Sequence, residues 1–383
     1  MISFSCACSL CGREYEFTPE RMLCDDCASR QTPDQPLMGV LEFRPEGQLP
    51  RDWDILDLLP VEREYFPPVP VGRTPLWEPE ILRRETGFPK LFLKDDSRNP
   101  TGSLKDRASY LVAAYARREG IERIVVASTG NAGSSMAGIG AAAGLSVKLF
   151  LPASAPPAKL VQSLQYGADL IKVDGTYDLA YSRSMACVAE EGGLSRNTAH
   201  NPLTIEGKKT VSLEIFRQLG GRVPDYVFVP TGDGVILSGV YRGFEDLFSL
   251  GLAERAPCCV AVQAEGSAAI SRALDAGSFG TPVASSTIAD SISVDVPRGG
   301  LFALGRLQRH GGKAVIVSDG EILDAQRRLS SRSGLFAEPA AAAAWAGFEK
   351  MKDEMDPEAT VAVLITGNGL KDIDSARKGV NVP

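Results

Sequence analysis

The chain has 383 residues, 41 of them basic and 48 acidic, giving a net charge of −7, and 44% of its residues are hydrophobic. That length suits two to three domains, or one large α/β unit with an appendage, and a core that needs no crosslinks. The composition argues against disorder, collagen and coiled coil, and the acidic balance against a broad surface for nucleic acid or an anionic membrane. No stretch of about 20 residues is apolar enough to span a bilayer. The opening Met1-Ile2-Ser3-Phe4-Ser5-Cys6 has no basic region leading into an apolar run, so no secretory signal is visible and a cytoplasmic protein is expected.

Five of the eight cysteines fall in the first 27 residues, and Cys8-x2-Cys11 and Cys24-x2-Cys27 are separated by twelve residues. This is knuckle spacing for four thiolates around a tetrahedral Zn²⁺. So short a segment cannot bury enough surface to fold alone, and a metal would supply the missing stability. The alternatives are a disulfide framework, which a cytoplasmic compartment disfavours, or a redox pair; Cys6 is an alternative to Cys8 in register. Residues 1–30 carry three arginines and five carboxylates, the wrong balance for gripping nucleic acid, so the ribbon reads as structural. Residues 1–40 are taken as zinc ribbon and connector. Residues 31–55, with Pro33, Pro36, Pro45 and Pro50, read as an ordered connector rather than a helix or a strand pair.

From about residue 85 short apolar runs alternate with amphipathic or alanine-rich segments. Strands are expected at Leu91–Leu93, Ile124–Ala127, Val147–Leu151, Leu170–Val173, Tyr226–Val229, Cys259–Gln263, Ala314–Val317 and Val361–Ile365. Helices are expected at 132–143, 157–166, 177–191, 206–219, 236–249, 321–331 and 339–352. The alternation indicates a doubly wound parallel sheet covered on both faces. Residues 281–312 read as an ordinary long connection, with a lid or binding loop as the alternative.

In such sheets ligands bind where strands end and helices begin. Four hydroxyl- and glycine-rich turns occupy or resemble such places: Asn99–Ser103 ahead of Lys105, Ser128–Asn131, Thr231–Gly234 and Thr366–Gly369. Singly each is ordinary capping chemistry; together they suggest one site. The turn at 231–234 suits a phosphate, because glycines admit backbone N–H groups and the following helix adds its dipole. Neither a Walker A loop nor a dinucleotide fingerprint is present. Lys105 sits at a helix start, where a cation is disfavoured and its pKa falls, as a Schiff-base lysine requires. The bland alternative is a solvated lysine paired with Asp106. With only two histidines and no nucleophile elbow, a small-phosphate loop plus a lysine points to pyridoxal 5′-phosphate.

These residues carry a resemblance. Asn99-Pro100-Thr101-Gly102-Ser103-Leu104-Lys105-Asp106-Arg107 resembles the lysine motif of the threonine synthase family of fold-type II pyridoxal-phosphate enzymes. Ser128-Thr129-Gly130-Asn131, Glu206-Gly207-Lys208-Lys209-Thr210, Glu338-Pro339-Ala340-Ala341-Ala342 and Thr366-Gly367-Asn368-Gly369-Leu370-Lys371 are similar to further family motifs, in the same order, as is Gly72-Arg73-Thr74-Pro75-Leu76. The resemblance implies an α/β fold of two doubly wound parallel-sheet subdomains behind the ribbon-like segment. It places a catalytic domain over 55–383 with a smaller subdomain inserted at about 100–205, and it suggests a homodimer. Carried over by position, Lys105 holds the cofactor and moves protons, Asn131 meets the cofactor's 3′-oxygen, and Thr231, Gly232, Asp233, Gly234 and Val235 cradle its phosphate. Thr366 meets the pyridine nitrogen, and Ser128, Thr129 and Gly130 hold the substrate carboxylate.

The departures bear on the substrate. The phosphohomoserine pattern has Thr where this chain has Ala132 and Arg where it has Thr204. Its Asn-Ser becomes Asn197-Thr198, which keeps a hydroxyl for the substrate. Arginine is the usual fork for a phosphate; Lys159, Lys208, Lys209 and Arg98 are candidates to replace it. Asp233 beside a phosphate is repulsive unless it points away. The expected reaction is O-phospho-L-homoserine plus water to L-threonine plus phosphate. The alternatives are β-replacement on O-phosphoserine, a threonine or serine dehydratase, or a ligand-binding sensor.

Overall fold

A computed structural model describes residues 2–155 and 157–380, apart from the side chains of residues 157–159, so Lys159's side chain lies outside the described residues. The strands are β1 (Ile2–Cys8), β2 (Glu14–Tyr15), β3 (Leu41–Gly47), β4 (Leu76–Trp77), β5 (Leu91–Asp95), β6 (Arg123–Ala127), β7 (Ser146–Pro152), β8 (Asp169–Val173), β9 (Leu194–Ser195), β10 (Tyr226–Pro230), β11 (Cys258–Ala264), β12 (Lys313–Val317) and β13 (Val361–Ile365). They form three sheets, ordered β2-β1-β3, β12-β11-β10-β13-β5-β4 and β8-β7-β6-β9. The two larger sheets are parallel, with β4 antiparallel at one edge.

Every strand expected from the apolar runs is present, because each is apolar at consecutive positions and is covered on both faces. In β10, Tyr226 and Phe228 enter one core while Val227 and Val229 enter the other; β13 divides the same way between Val361, Val363 and Ile365 and Ala362 and Leu364. The alanine run of the helix Pro339–Met351 is buried from Ala340 to Ala344, which permits close approach to the helix Asp319–Ser333 and the sheet.

Two expectations need correction. Residues 31–55 are not strandless: β3 pairs antiparallel with β1 from Ile2↔Gly47 to Cys8↔Leu41. Leu41, Glu42 and Phe43 are buried and Arg44 is exposed, and Pro45 is tolerated because β3 is an edge strand. Residues 281–312 are not a plain connection either. They contain the helix Gly300–Arg309, and the stretch before it crosses the 231–234 turn so closely that a Cβ on Gly232 would lie 2.6 Å from Ile292 Cα.

The helix Leu203–Gln218 is buried along nearly its whole length, between the helices Lys105–Arg118 and Val235–Ser249. At the first crossing a Cβ on Gly207 would lie 2.3 Å from Arg107 O. Gly207→Ala is therefore expected to lower stability by about 1–3 kcal/mol, read as a lower urea midpoint at unchanged slope.

Candidate active site

The elements that carry the site are neighbours in the sheet. β13 lies between β10 and β5, so the turns after β10 and β13 and the loop after β5 emerge side by side at the strands' C-terminal ends. Backbone bonds stitch them together: Leu104 N–H to Thr366 O at 2.8 Å, Asn368 N–H to Gly102 O at 3.0 Å and Glu338 N–H to Gly367 O at 3.0 Å. Thr366 is thereby pinned beside the residue preceding Lys105.

Lys105 begins the helix Lys105–Arg118, and its two neighbours hold that helix end. Asp106 is buried and accepts from Thr101 N at 2.7 Å and Thr101 Oγ1 at 2.5 Å, so it is not the lysine's solvated partner. Arg107 is clamped by Asp96 and Glu214, both at 2.6 Å, and Asn99 Oδ1 accepts the Gly72 N–H at 2.9 Å. The motif around the lysine is thus mostly its mounting. Burial is the main cause that brings the Lys105 ammonium down to about 8; Glu338 opposes this, Arg196 adds to it and Asp233 opposes it. The lowered pKa expected from the helix start is present, with desolvation as its chief cause. Because the neutral amine then predominates above about 8 rather than ~10.4, cofactor capture by the apoprotein is expected to rise with pH and level off just above 8. A capture rate still climbing at pH 10 would contradict this.

Glu338 is a site residue to which the sequence motif alone assigned no role. It is buried, its carboxyl pushed up by desolvation, and it accepts from Asn131 Nδ2 at 2.8 and 3.1 Å. A Cβ on Gly367 would lie 2.3 Å from Glu338 Oε1, so glycine there leaves room for the carboxylate. Asn131 also donates to Ser291 Oγ at 3.3 Å. Thr129, Gly130, Asn131, Ser291, Glu338 and Lys371 border a cavity of about 270 Å³.

Ser128 Oγ accepts the N–H groups of Gly130 (3.2 Å) and Gly133 (3.1 Å), so it fixes the turn, while Thr129 and Gly130 are half-buried at the cavity. Thr198 is half-buried and takes a bond from Arg196. In the 231–234 turn, Thr231 Oγ1 donates to Val229 O at 2.8 Å. Gly234 adopts φ 84 at the start of the helix Val235–Ser249, whose first N–H groups have no acceptor within the helix. Asp233 does point away: its carboxylate accepts the Arg298 N–H at 2.5 Å, and burial raises its pKa against the pull of Arg298, Lys208 and Lys105. Lys208 Nζ is fully buried with no hydrogen-bond partner among the described residues, and burial and Lys105 push its pKa well down.

A glycine cradle at a helix start, an unpartnered buried lysine amine that an anion would charge, a neutralisable lysine and a buried threonine fit a phosphorylated pyridine aldehyde. Thr204 does not belong to this group: it is buried and donates back to Asn201 O at 2.8 Å.

In the N-terminal segment, the sulfurs of Cys8, Cys11, Cys24 and Cys27 all lie within 4.8 Å of one another. Cys6 is outside the cluster, which fixes the register on Cys8. Three of the sulfurs take N–H or O–H bonds, from Leu10 N (3.4 Å), Tyr15 Oη (3.0 Å) and Arg30 Nη2 (3.3 Å), as metal-bound thiolates do. Gly39, at φ 77, lets the chain pass so near the second knuckle that a Cβ would lie 3.0 Å from those of Cys24 and Cys27.

Residues 69–367 match the family described as pyridoxal-phosphate dependent enzyme. The chain is 34% identical to a threonine synthase of Methanosarcina acetivorans over 95% of its own length and 91% of the relative's. It is 34% identical to one of Methanocaldococcus jannaschii over 86% and 83%. Its fold is similar to the processed form of threonine deaminase isoform 2 from Solanum lycopersicum, with TM-score 0.71 at 20% identity, covering 88% of this chain and 96% of that one.

Proposed function

The chain belongs to the pyridoxal-phosphate dependent enzyme family, and from that premise we propose that it is a threonine synthase, converting O-phospho-L-homoserine and water to L-threonine and phosphate. The observation that carries this reading is Lys105, whose pKa burial brings down to about 8 against the pull of Glu338 and Asp233, in a chain one-third identical to threonine synthases along most of its length.

When bound, the cofactor supplies an electron sink that acidifies the substrate's carbon-bound hydrogens. Lys105, Asn131, Thr231, Gly232, Asp233, Gly234, Val235 and Thr366 are the residues to hold it, with Lys208 as the buried cation on its phosphate side. Lys105 Nζ takes and returns protons at the substrate carbons, which its lowered pKa permits at neutral pH. The Thr129–Gly130 backbone at a helix start receives the substrate carboxylate, and Ser128 keeps that turn in shape. A neutral hydroxyl at Thr366 leaves the pyridine nitrogen less protonated than a carboxylate would, which favours elimination and replacement chemistry.

Thr204, turned into its own helix, favours a second reading in which the substrate is O-phosphoserine, threonine or serine. Adding O-phospho-L-homoserine to purified holoenzyme while following phosphate and threonine decides between them: equal amounts of both support the synthase, and neither product refutes it. We further propose that Cys8, Cys11, Cys24 and Cys27 hold a structural Zn²⁺.

A further inference from the structure

Arg196 stands where β9 ends, and the small lobe fixes it from two sides. Its N–H donates to Val125 O at 2.9 Å, and the next residue, Asn197, accepts the Ala127 N–H on Oδ1 at 2.8 Å. This segment therefore runs beside the end of β6, next to the Ser128–Gly130 turn. The side chain reaches toward the first turns of two helices: Nε faces Ser109 Oγ at 3.4 Å, and Ser109 accepts from Ser135 at 2.7 Å. Ser109 is one turn beyond Lys105 and Ser135 one turn beyond Asn131.

Nη1 donates to Thr198 Oγ1 at 2.9 Å, while Nη2 is buried with no hydrogen-bond partner among the described residues. Arg196 is 0% exposed, and no carboxylate forms an ion pair with it among the described residues. A guanidinium enclosed with an unused donor is costly unless an anion completes it. Its Nε faces Ser109, one turn beyond Lys105, and the buried Asp106 carboxylate acts on its charge without a hydrogen bond to it. Lys208 packs on the helix that follows the cofactor turn, where a Cβ on Gly239 would lie 2.7 Å from its own Cβ, whereas Arg196 bonds Thr198 beside the substrate turn.

We propose that Arg196, with Thr198, is the clamp for the phosphate group of the substrate side chain, replacing the arginine that the phosphohomoserine pattern has at position 204. Nη2 is the free tooth of the fork, and Thr198, whose oxygen accepts from Nη1, keeps its own O–H to donate. The site thereby selects amino acids ending in a tetrahedral dianion over neutral ones of the same length. This rests on the amino-acid-binding reading above but names a residue that the motif pattern does not.

The test is a visible-absorption titration of holoenzyme with O-phospho-L-homoserine and, separately, with L-2-aminobutyrate, which lacks the charged end. R196Q is expected to raise the Kd for phosphohomoserine by about 10–100-fold, the worth of a charge-assisted fork. Aminobutyrate binding should change by less than about twofold. Equal weakening of both ligands, or of neither, overturns the proposal. Should R196Q fail to fold, R196K keeps the charge without the fork, and the same selective weakening, about fivefold, is required of it. If the wild type ignores phosphohomoserine but prefers O-phospho-L-serine to L-serine, and R196Q erases that preference, the synthase reading falls while the clamp stands.

Discussion

Lys105→Ala is expected to remove the visible absorption of bound cofactor and to lower phosphate release from O-phospho-L-homoserine by about 10⁴-fold or more. The same substitution should leave the apoprotein at least as resistant to urea as the wild type. The sign follows from the lysine's pKa, which burial brings down to about 8. A base whose folded pKa lies below its unfolded value costs stability at every pH under the unfolded value, and most below the folded one. Deleting the amine removes that cost at neutral pH. Lost turnover together with a destabilised apoprotein would point instead to a collapsed mounting around Asp106 and Arg107.

Removing the metal is the second large effect. One zinc per chain is expected, and chelation should cost several kcal/mol of local stability, since so small a ribbon folds on metal. The ribbon does not hang free. Glu42 on β3 is ion-paired with buried Arg306, and Phe43 O accepts from Arg242 Nη2 at 2.5 Å. Phe17 packs edge-on against Phe43, with ring centroids 4.9 Å apart, and tilted against Tyr115. Cys24→Ser should empty the site and raise proteolysis within residues 1–40 by about tenfold or more. A metal-replete preparation with no zinc would remove the assignment.

The sheet was legible because its strands are apolar without interruption, a pattern that tertiary context rarely overrides. β3 was not, since Pro45 within it, with Pro33, Pro36 and Pro50 around it, argues against a strand that only an edge position makes workable. The helix Gly300–Arg309 was hidden behind paired glycines at its start. The turns of the site could be read as motifs, and their adjacency follows from the β10-β13-β5 order, which no local pattern states. Glu338 was visible only as the first residue of the Glu338-Pro339-Ala340 motif, without a role. Arg196 gave almost none: a charged residue after a two-residue strand reads as surface until the fold encloses it. Asp233 looked misplaced in a phosphate turn because its acceptor role is toward Arg298, 65 residues later.

Arg298 itself joins three parts of the molecule. Its N–H meets Asp233, its guanidinium meets Asp178 at 2.7 Å and lies over the Tyr181 ring, and its carbonyl accepts the Leu37 N–H at 2.9 Å. Two of the ribbon's anchors, Arg298 and Arg306, thus lie more than half the chain away, with Glu42 and its partner 264 positions apart. The ribbon therefore leaves the ribosome well before Arg298 and Arg306 do. Until they follow, it is held only by chain already made, such as Tyr115 against Phe17, and by the Zn²⁺ proposed for its four cysteines.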